Sequence, residues 1–171
     1  MKTIRSVFFT LALLIAFTQA RAQDATASAA INRILKAYYG VKNALAADDN
    51  DAARNQAKAL FAAVNAVPAD KLNPGQQKLW ATYTDKLQFD SRHISESTAL
   101  YHQREHFTSL SKNLYEVIKG MKLNTDIVYE QYCPMKKATW LSETTVIKNP
   151  YLGKQMADCG RTTAIINPGG K

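Results

Sequence analysis

The stretch Leu100-Tyr101-His102-Gln103-Arg104-Glu105-His106-Phe107-Thr108-Ser109-Leu110-Ser111-Lys112-Asn113-Leu114-Tyr115-Glu116-Val117-Ile118-Lys119-Gly120-Met121 decides the fold class. Leu100, Phe107, Leu110, Leu114, Val117, Ile118 and Met121 recur at helical spacing and make one apolar stripe. Gln103 falls inside that stripe, with Arg104 on one flank and His106 on the other. An amide on a core face needs hydrogen-bond partners. Gln103, with Arg104 beside it, is therefore expected to dock the non-helical C-terminal part of the chain.

The same periodicity extends upstream. Ile31, Ile34, Leu35, Tyr38, Val41 and Leu45 mark a first helix, and Asp48-Asp49-Asn50-Asp51 interrupts it. That acidic run lacks the spaced ligands, central Gly and terminal Glu of a calcium loop, so it reads as a turn with an N-cap. Ala53, Ala57, Leu60, Phe61 and Val64 mark a second helix, antiparallel to the first because the connection is short. Asn73-Pro74-Gly75 opens a third, with Asn73 as N-cap and Pro74 in the first turn, and Leu79, Tyr83, Leu87 and Ile94 line one face. Downstream the pattern changes. Ile127, Val128, Tyr129 and Tyr132 favour extended structure, Ile165-Ile166 suits a short strand, and Asn167 to Lys171 should fray. The expected fold is all-α, an antiparallel four-helix bundle with a small extended and looped C-terminal cap over about residues 122–166.

The chain of 171 residues has 22 Lys+Arg, 14 Asp+Glu and 2 Cys, enough for one ordinary domain and too few cysteines for a disulfide-dense miniprotein. Lys2 and Arg5 precede an 11-residue apolar run from Val7 to Phe17, interrupted only by Thr10, then Ala20-Arg21-Ala22. This is the pattern of a secretory signal peptide over residues 1–22, and the run is short of the ~20 residues that span a bilayer. Residues 23–171 are then a single helical-bundle domain in the periplasm or outside the cell, with no membrane span after cleavage. Loss of Lys2, Arg5 and Arg21 leaves 19 basic residues against 14 acidic ones. The longest basic run is Lys136-Lys137, which argues against nucleic-acid binding.

One constellation carries chemistry: Tyr132-Cys133-Pro134-Met135, followed by Asn149-Pro150-Tyr151-Leu152-Gly153-Lys154-Gln155-Met156-Ala157-Asp158-Cys159-Gly160. Pro134 biases Cys133 toward extended backbone, where residues two apart point the same way, so Cys133 and Met135 share a side. Asn149 can cap a short helix with Pro150 at its first position, placing Met156 and Cys159 on one face. Two thiol and thioether pairs then converge, and soft sulfur ligands select Cu(I). The competing reading is structural. Two cysteines in an exported chain commonly pair, and a Cys133 to Cys159 bridge would stabilise the cap by roughly 3 to 4 kcal/mol.

The chain resembles a family of exported Gram-negative bacterial domains of unknown function with a Y-C-P-M, W-L-S, N-P-Y-x-G-x-x-M-x-x-C-G tail. The likeness rests on Tyr39 to Leu45 with the acidic turn after it, Gln103-Arg104 with Phe107, Leu110 and Ser111, Cys133-Pro134-Met135, Trp140-Leu141-Ser142, and Asn149 through Gly160. Family members occur alone or fused to periplasmic adaptor subunits of heavy-metal efflux pumps. The resemblance therefore implies metal handling, with such an adaptor or another envelope protein as partner, and the family has no assigned enzymatic activity. One departure is the short segment Lys136-Lys137-Ala138-Thr139, where the family has a longer Gly-containing loop.

His102 and His106, four apart, can clamp a metal from one helical face, although such a pair is more often a wet surface feature. His93 reads as a lone helical residue. His106 is the candidate fifth or substitute ligand to the Cu(I) of Cys133, Met135, Met156 and Cys159. Enzyme motifs are missing: no P-loop, H-E-x-x-H, G-x-S-x-G or C-x-x-C occurs, and Ser142 reads as a helix cap. Three readings stand: a soft-metal module of the envelope, a disulfide-stapled interaction module and, far behind, a thiol-dependent enzyme.

Overall fold

In the computed structural model residues 25–169 are described, so the expected signal peptide lies outside the described residues. Four helices come first: α1 (25–46), α2 (Asn50–Asn65), α3 (Pro74–Glu96) and α4 (Leu100–Met121). Each starts or stops for a local reason. Asp49 caps α2 by accepting the Ala52 N–H at 2.9 Å. Asn73 and Gln76 form a reciprocal capping box at the start of α3, with Pro74 in its first turn. Lys122 closes α4 in the left-handed region at φ 53°.

Ile31, Ile34, Leu35, Tyr38, Val41 and Leu45 on α1 are all buried. They meet Leu60 and Val64 of α2, Leu87 and Ile94 of α3, and the Phe107 to Met121 stripe of α4 in one continuous core. At about 1.5–3 kcal/mol for each large side chain, this burial is the main force holding the helices together. Neighbouring helices run antiparallel. Gln76 Nε2 at the start of α3 donates to the Met121 carbonyl at the end of α4 at 3.2 Å, while Asp90 near the end of α3 meets His106 near the start of α4 at 3.0 Å.

The chain is mostly helical rather than all-α, and the segment after α4 is a sheet, not a looped cap. Strands β1 (Val128–Cys133), β2 (Ala138–Ser142) and β3 (Arg161–Ile166) pair antiparallel in the order β2-β1-β3. The register pairs Cys133 with Ala138 and Gln131 with Trp140, so the Pro134 to Lys137 segment is a tight hairpin loop. Lys137 takes φ 51° in that turn. Trp140-Leu141-Ser142 is therefore strand, and Ser142 caps no helix. Its hydroxyl accepts from the Thr144 N–H and from Lys42 Nζ, both at 3.3 Å.

The two edges of the sheet differ. On the β2 edge, the Leu141 N–H donates to the Tyr38 hydroxyl at 3.0 Å and the Tyr151 hydroxyl donates to the Thr139 carbonyl at 2.5 Å. Backbone groups that would otherwise face apolar side chains are thereby satisfied. The β3 edge is largely exposed, with Ile165 open to solvent. Beyond β3 the chain stays attached as far as Gly169 rather than fraying from Asn167, the last two residues lying outside the described ones: Asn124 Nδ2 donates to the Asn167 carbonyl at 3.1 Å, and the Gly169 N–H donates to the Asn124 carbonyl at 2.9 Å.

Candidate functional site

Cys133 ends β1 with its side chain fully buried, immediately before the hairpin turn at Pro134. Cys159 lies just before β3 and is partly exposed. The two strands are neighbours, and the sulfurs stand 3.8 Å apart as free thiols, without the ~2.05 Å separation of a disulfide. Two sulfurs sharing one tetrahedral ion at ~2.3 Å would also lie about 3.8 Å apart.

The environment of Cys133 favours its thiolate. Burial pushes the thiol pKa up, but hydrogen bonds from the Lys136 N–H, the Asn149 side chain, the Cys159 thiol and the Met135 N–H outweigh it, and the net shift is downward. The tight turn after Pro134 creates this arrangement by folding the amides of residues 135 and 136 back over the sulfur. Cys159 moves the other way: loss of hydration, then the neighbouring Cys133, then the charge of Asp158 raise its pKa.

Asn149 connects the two halves of the motif. It is fully buried; its Nδ2 donates to the Cys159 carbonyl at 2.6 Å, and its Oδ1 accepts from the Tyr151 and Leu152 N–H groups at 2.8 and 3.0 Å. Its own N–H donates to the Ala157 carbonyl at 2.8 Å. The capping role expected of Asn149 is fulfilled in a turn, because the only helix here is the short 3₁₀ segment Gly153–Met156, which ends before Cys159. Gly160 is required by contact: a Cβ there would come within 2.8 Å of the Trp140 ring.

Arg104 fastens this loop to the helices. Its Nε donates to the Pro150 carbonyl at 2.8 Å, and its Nη2 donates to the Leu45 carbonyl at 2.9 Å and to the Asp48 carboxylate at 2.5 Å. Asp48 also accepts the Lys154 N–H at 3.0 Å, and its carboxyl pKa is lowered by that bond first and by Arg104 second. Gly153, at φ 57°, leaves room for both side chains, since a Cβ there would collide with the Asp48 carboxylate and the guanidinium. Gln103 does not dock the C-terminal segment. Its Nε2 donates to the Asn50 and Ser97 carbonyls at 3.1 and 2.8 Å, joining the start of α2 to the turn before α4. The apolar stripe of α4 correctly marks Gln103 as inward-facing but does not say which segment it meets.

The remaining expected ligands separate into two groups. Met135 follows Pro134 in the turn with its side chain exposed, and Met156 closes the 3₁₀ segment, partly exposed. His106 is elsewhere. It turns to α3, with Nδ1 3.0 Å from Asp90 Oδ1 and its ring 4.7 Å from that of His93, so it is not brought to the thiols as a further ligand. Among the described residues no group of three or more His, Cys, Asp and Glu side chains is already arranged to hold an ion.

Two positions escaped the sequence reading. Lys42, buried on α1, donates to Glu143 Oε2 at 2.5 Å just after β2. Burial lowers its pKa and the Glu143 contact opposes that. The Tyr38 hydroxyl lies 2.6 Å from Ser111 Oγ and joins α1, α4 and β2. A lysine inside an apolar helical face was the available signal for the first.

Among the described residues no helix is long and apolar enough to cross a membrane. No curated protein is significantly similar to the chain, and no solved structure is. Residues 34–126 match the family of proteins of unknown function designated DUF3347, and the chain belongs to that family. The match runs from the middle of α1 to the residues before β1, so the thiol pair lies beyond it.

Proposed function

We propose that this member of the family is an exported, non-enzymatic envelope domain that, when reduced, binds one Cu(I) through the Cys133 and Cys159 sulfurs. Met135 and Met156 supply thioethers from the two flanking turns. The observation that carries this reading is the 3.8 Å approach of the two free sulfurs, with N–H donors beside Cys133. Donors of that kind stabilise a thiolate, the form in which cysteine ligates metal, and orient it as outer-shell bonds do at metal centres. The 3.8 Å sulfur separation suits a shared ion, and thiolate with thioether is a donor set that selects Cu(I). The likeness of the tail to domains associated with heavy-metal efflux supports a role beside such a pump, with a periplasmic adaptor as partner.

The test is competition against a Cu(I) chelator, comparing the reduced wild type with Cys133→Ser, Met156→Leu and the oxidised protein. The reduced wild type should win copper from the chelator, Met156→Leu should do so less well, and the other two should not. Equal competition by all four, or binding by none, rejects the reading. Because the thiols must lose protons, affinity should fall with pH.

A second reading is favoured by the same sulfur contact. Small rotations would close 3.8 Å to a bond, and a Cys133 to Cys159 bridge would make the domain a stapled interaction module without metal. Native mass spectrometry of the exported protein separates the two by mass: a loss of two hydrogens, or a gain of copper.

A further inference from the structure

Across the seam between α3 and α4, on elements that carry neither cysteine, three histidines gather. The His106 ring is centred 4.7 Å from that of His93 and 4.7 Å from that of His102. His102 and His106 are one turn apart on α4, and His93 faces them from the last turns of α3.

What each ring does with its Nδ1 fixes what its other nitrogen can do. His93 Nδ1 lies 2.8 Å from the Phe89 carbonyl, His102 Nδ1 3.2 Å from Glu105 Oε2, and His106 Nδ1 3.0 Å from Asp90 Oδ1. A carbonyl and two carboxylates only accept, so a neutral ring at each position carries its proton on Nδ1 and its lone pair on Nε2. None of the three Nε2 atoms has a hydrogen-bond partner among the described residues, and all three side chains are partly exposed. A ring whose Nδ1–H is held by a carboxylate or backbone carbonyl is oriented as metal-bound histidines are.

We propose that His102 and His106, joined by His93, bind a borderline divalent ion such as Ni(II) or Zn(II) through Nε2, separately from the thiols. The spacing fits. With metal–nitrogen bonds of ~2.0–2.1 Å, two rings on one ion have centres about 4.5–5 Å apart. The His102 and His106 planes stand at 87°, as two rings on adjacent coordination positions can, so this pair is the primary chelate. The three side chains are not preassembled around one point, and His93 joins by turning its ring, with water filling the other positions. Asp90, almost fully buried, and Glu105 bring negative charge behind the ligands. Phe89, centred 4.0 Å from His93 and 5.6 Å from His106, shields one side of the seam.

The experiment is a Ni(II) titration of the full chain followed by calorimetry and by histidine ring NMR signals. It uses the wild type, the exposed variants His102→Ala and His93→Ala, Asp90→Asn, and the double variant Cys133→Ser/Cys159→Ser. His102→Ala should weaken binding by about tenfold or more, and Asp90→Asn by about tenfold, the usual effect of losing an outer-shell carboxylate. The cysteine double variant should bind like the wild type, with the His93, His102 and His106 signals moving together. Wild-type affinity in His102→Ala and His93→Ala overturns the proposal, as does loss of binding only in the cysteine variant. Circular dichroism of each variant shows whether it is folded, and His102→Ala, on the surface, keeps the test decisive if Asp90→Asn unfolds.

Discussion

The helical half and the sheet half of this molecule are stabilised in different ways. The helices meet chiefly through Leu, Ile, Val and Phe, with scattered polar links such as Asp90 to His106 and Gln103 to Asn50. The sheet shares that core through Val128, Trp140 and Leu141 and adds a denser set of polar groups at the seam: Tyr38 and Tyr151 on the β2 edge, Lys42 on Glu143, Arg104 on Pro150 and Asp48. Apolar contact is non-directional and tolerates small shifts, whereas a hydrogen bond fixes distance and angle. The half that carries the two thiols thus adds directional contacts to its apolar ones, as a pair of sulfurs at a set separation requires.

The largest test of that contrast compares two core deletions. Leu114→Ala in α4 should cost about 2–5 kcal/mol and Trp140→Ala in β2 about 3–5 kcal/mol. If the halves form one cooperative unit, urea unfolding followed by far-ultraviolet dichroism and by tyrosine fluorescence will shift in step for both variants. An early fluorescence transition confined to Trp140→Ala, with helical dichroism intact, would instead make the sheet a separate unit. Next in size, Tyr38→Phe strips a hydroxyl that meets both Ser111 and the buried Leu141 N–H, and should cost about 1–3 kcal/mol because that N–H is left without a partner. An undiminished unfolding midpoint would show that the β2 edge does not depend on it.

Smaller and pH-dependent is the Asp48 contact. The folded carboxyl titrates below its unfolded value, so its contribution to stability is present above about pH 4 and is lost as pH falls through the lower folded value. Asp48→Asn should flatten that part of the pH-stability curve, and an unchanged acid limb would contradict the assignment. The smallest effect is expected from Lys42→Met. The stem keeps its packing, a buried charge disappears, and Glu143 is exposed enough to be hydrated, so stability should change by less than about 1 kcal/mol in either direction. A loss of several kcal/mol would mean the ion pair itself secures the sheet.

The same contrast governs what was legible from sequence. Ile31 to Leu45 and Phe107 to Met121 repeat at helical spacing because each helix buries one stripe, and Asp49 and Asn73 announce their own helix starts. β2 gives no such signal: Ala138, Trp140, Leu141 and Ser142 are all buried, so the strand lacks alternation. Cys133 and Cys159 stood out by residue type, yet their 3.8 Å approach depends on a sheet order in which β3 pairs with β1 across the intervening loop. His93 was unreadable as a neighbour of His106 because the contact crosses two helices. Gln103 failed for a related reason, since a wheel gives a side chain its direction but not its partner.

Asn149 has a chemical consequence for the ageing of the protein. Asparagine side chains decay when the nitrogen of the following residue attacks the amide and closes a succinimide ring. Here the following nitrogen belongs to Pro150, which has no N–H to give up. The one amide that holds Tyr151, Leu152 and Cys159 in place is thus shielded from the commonest route of spontaneous damage, and an old molecule should keep the same loop as a new one.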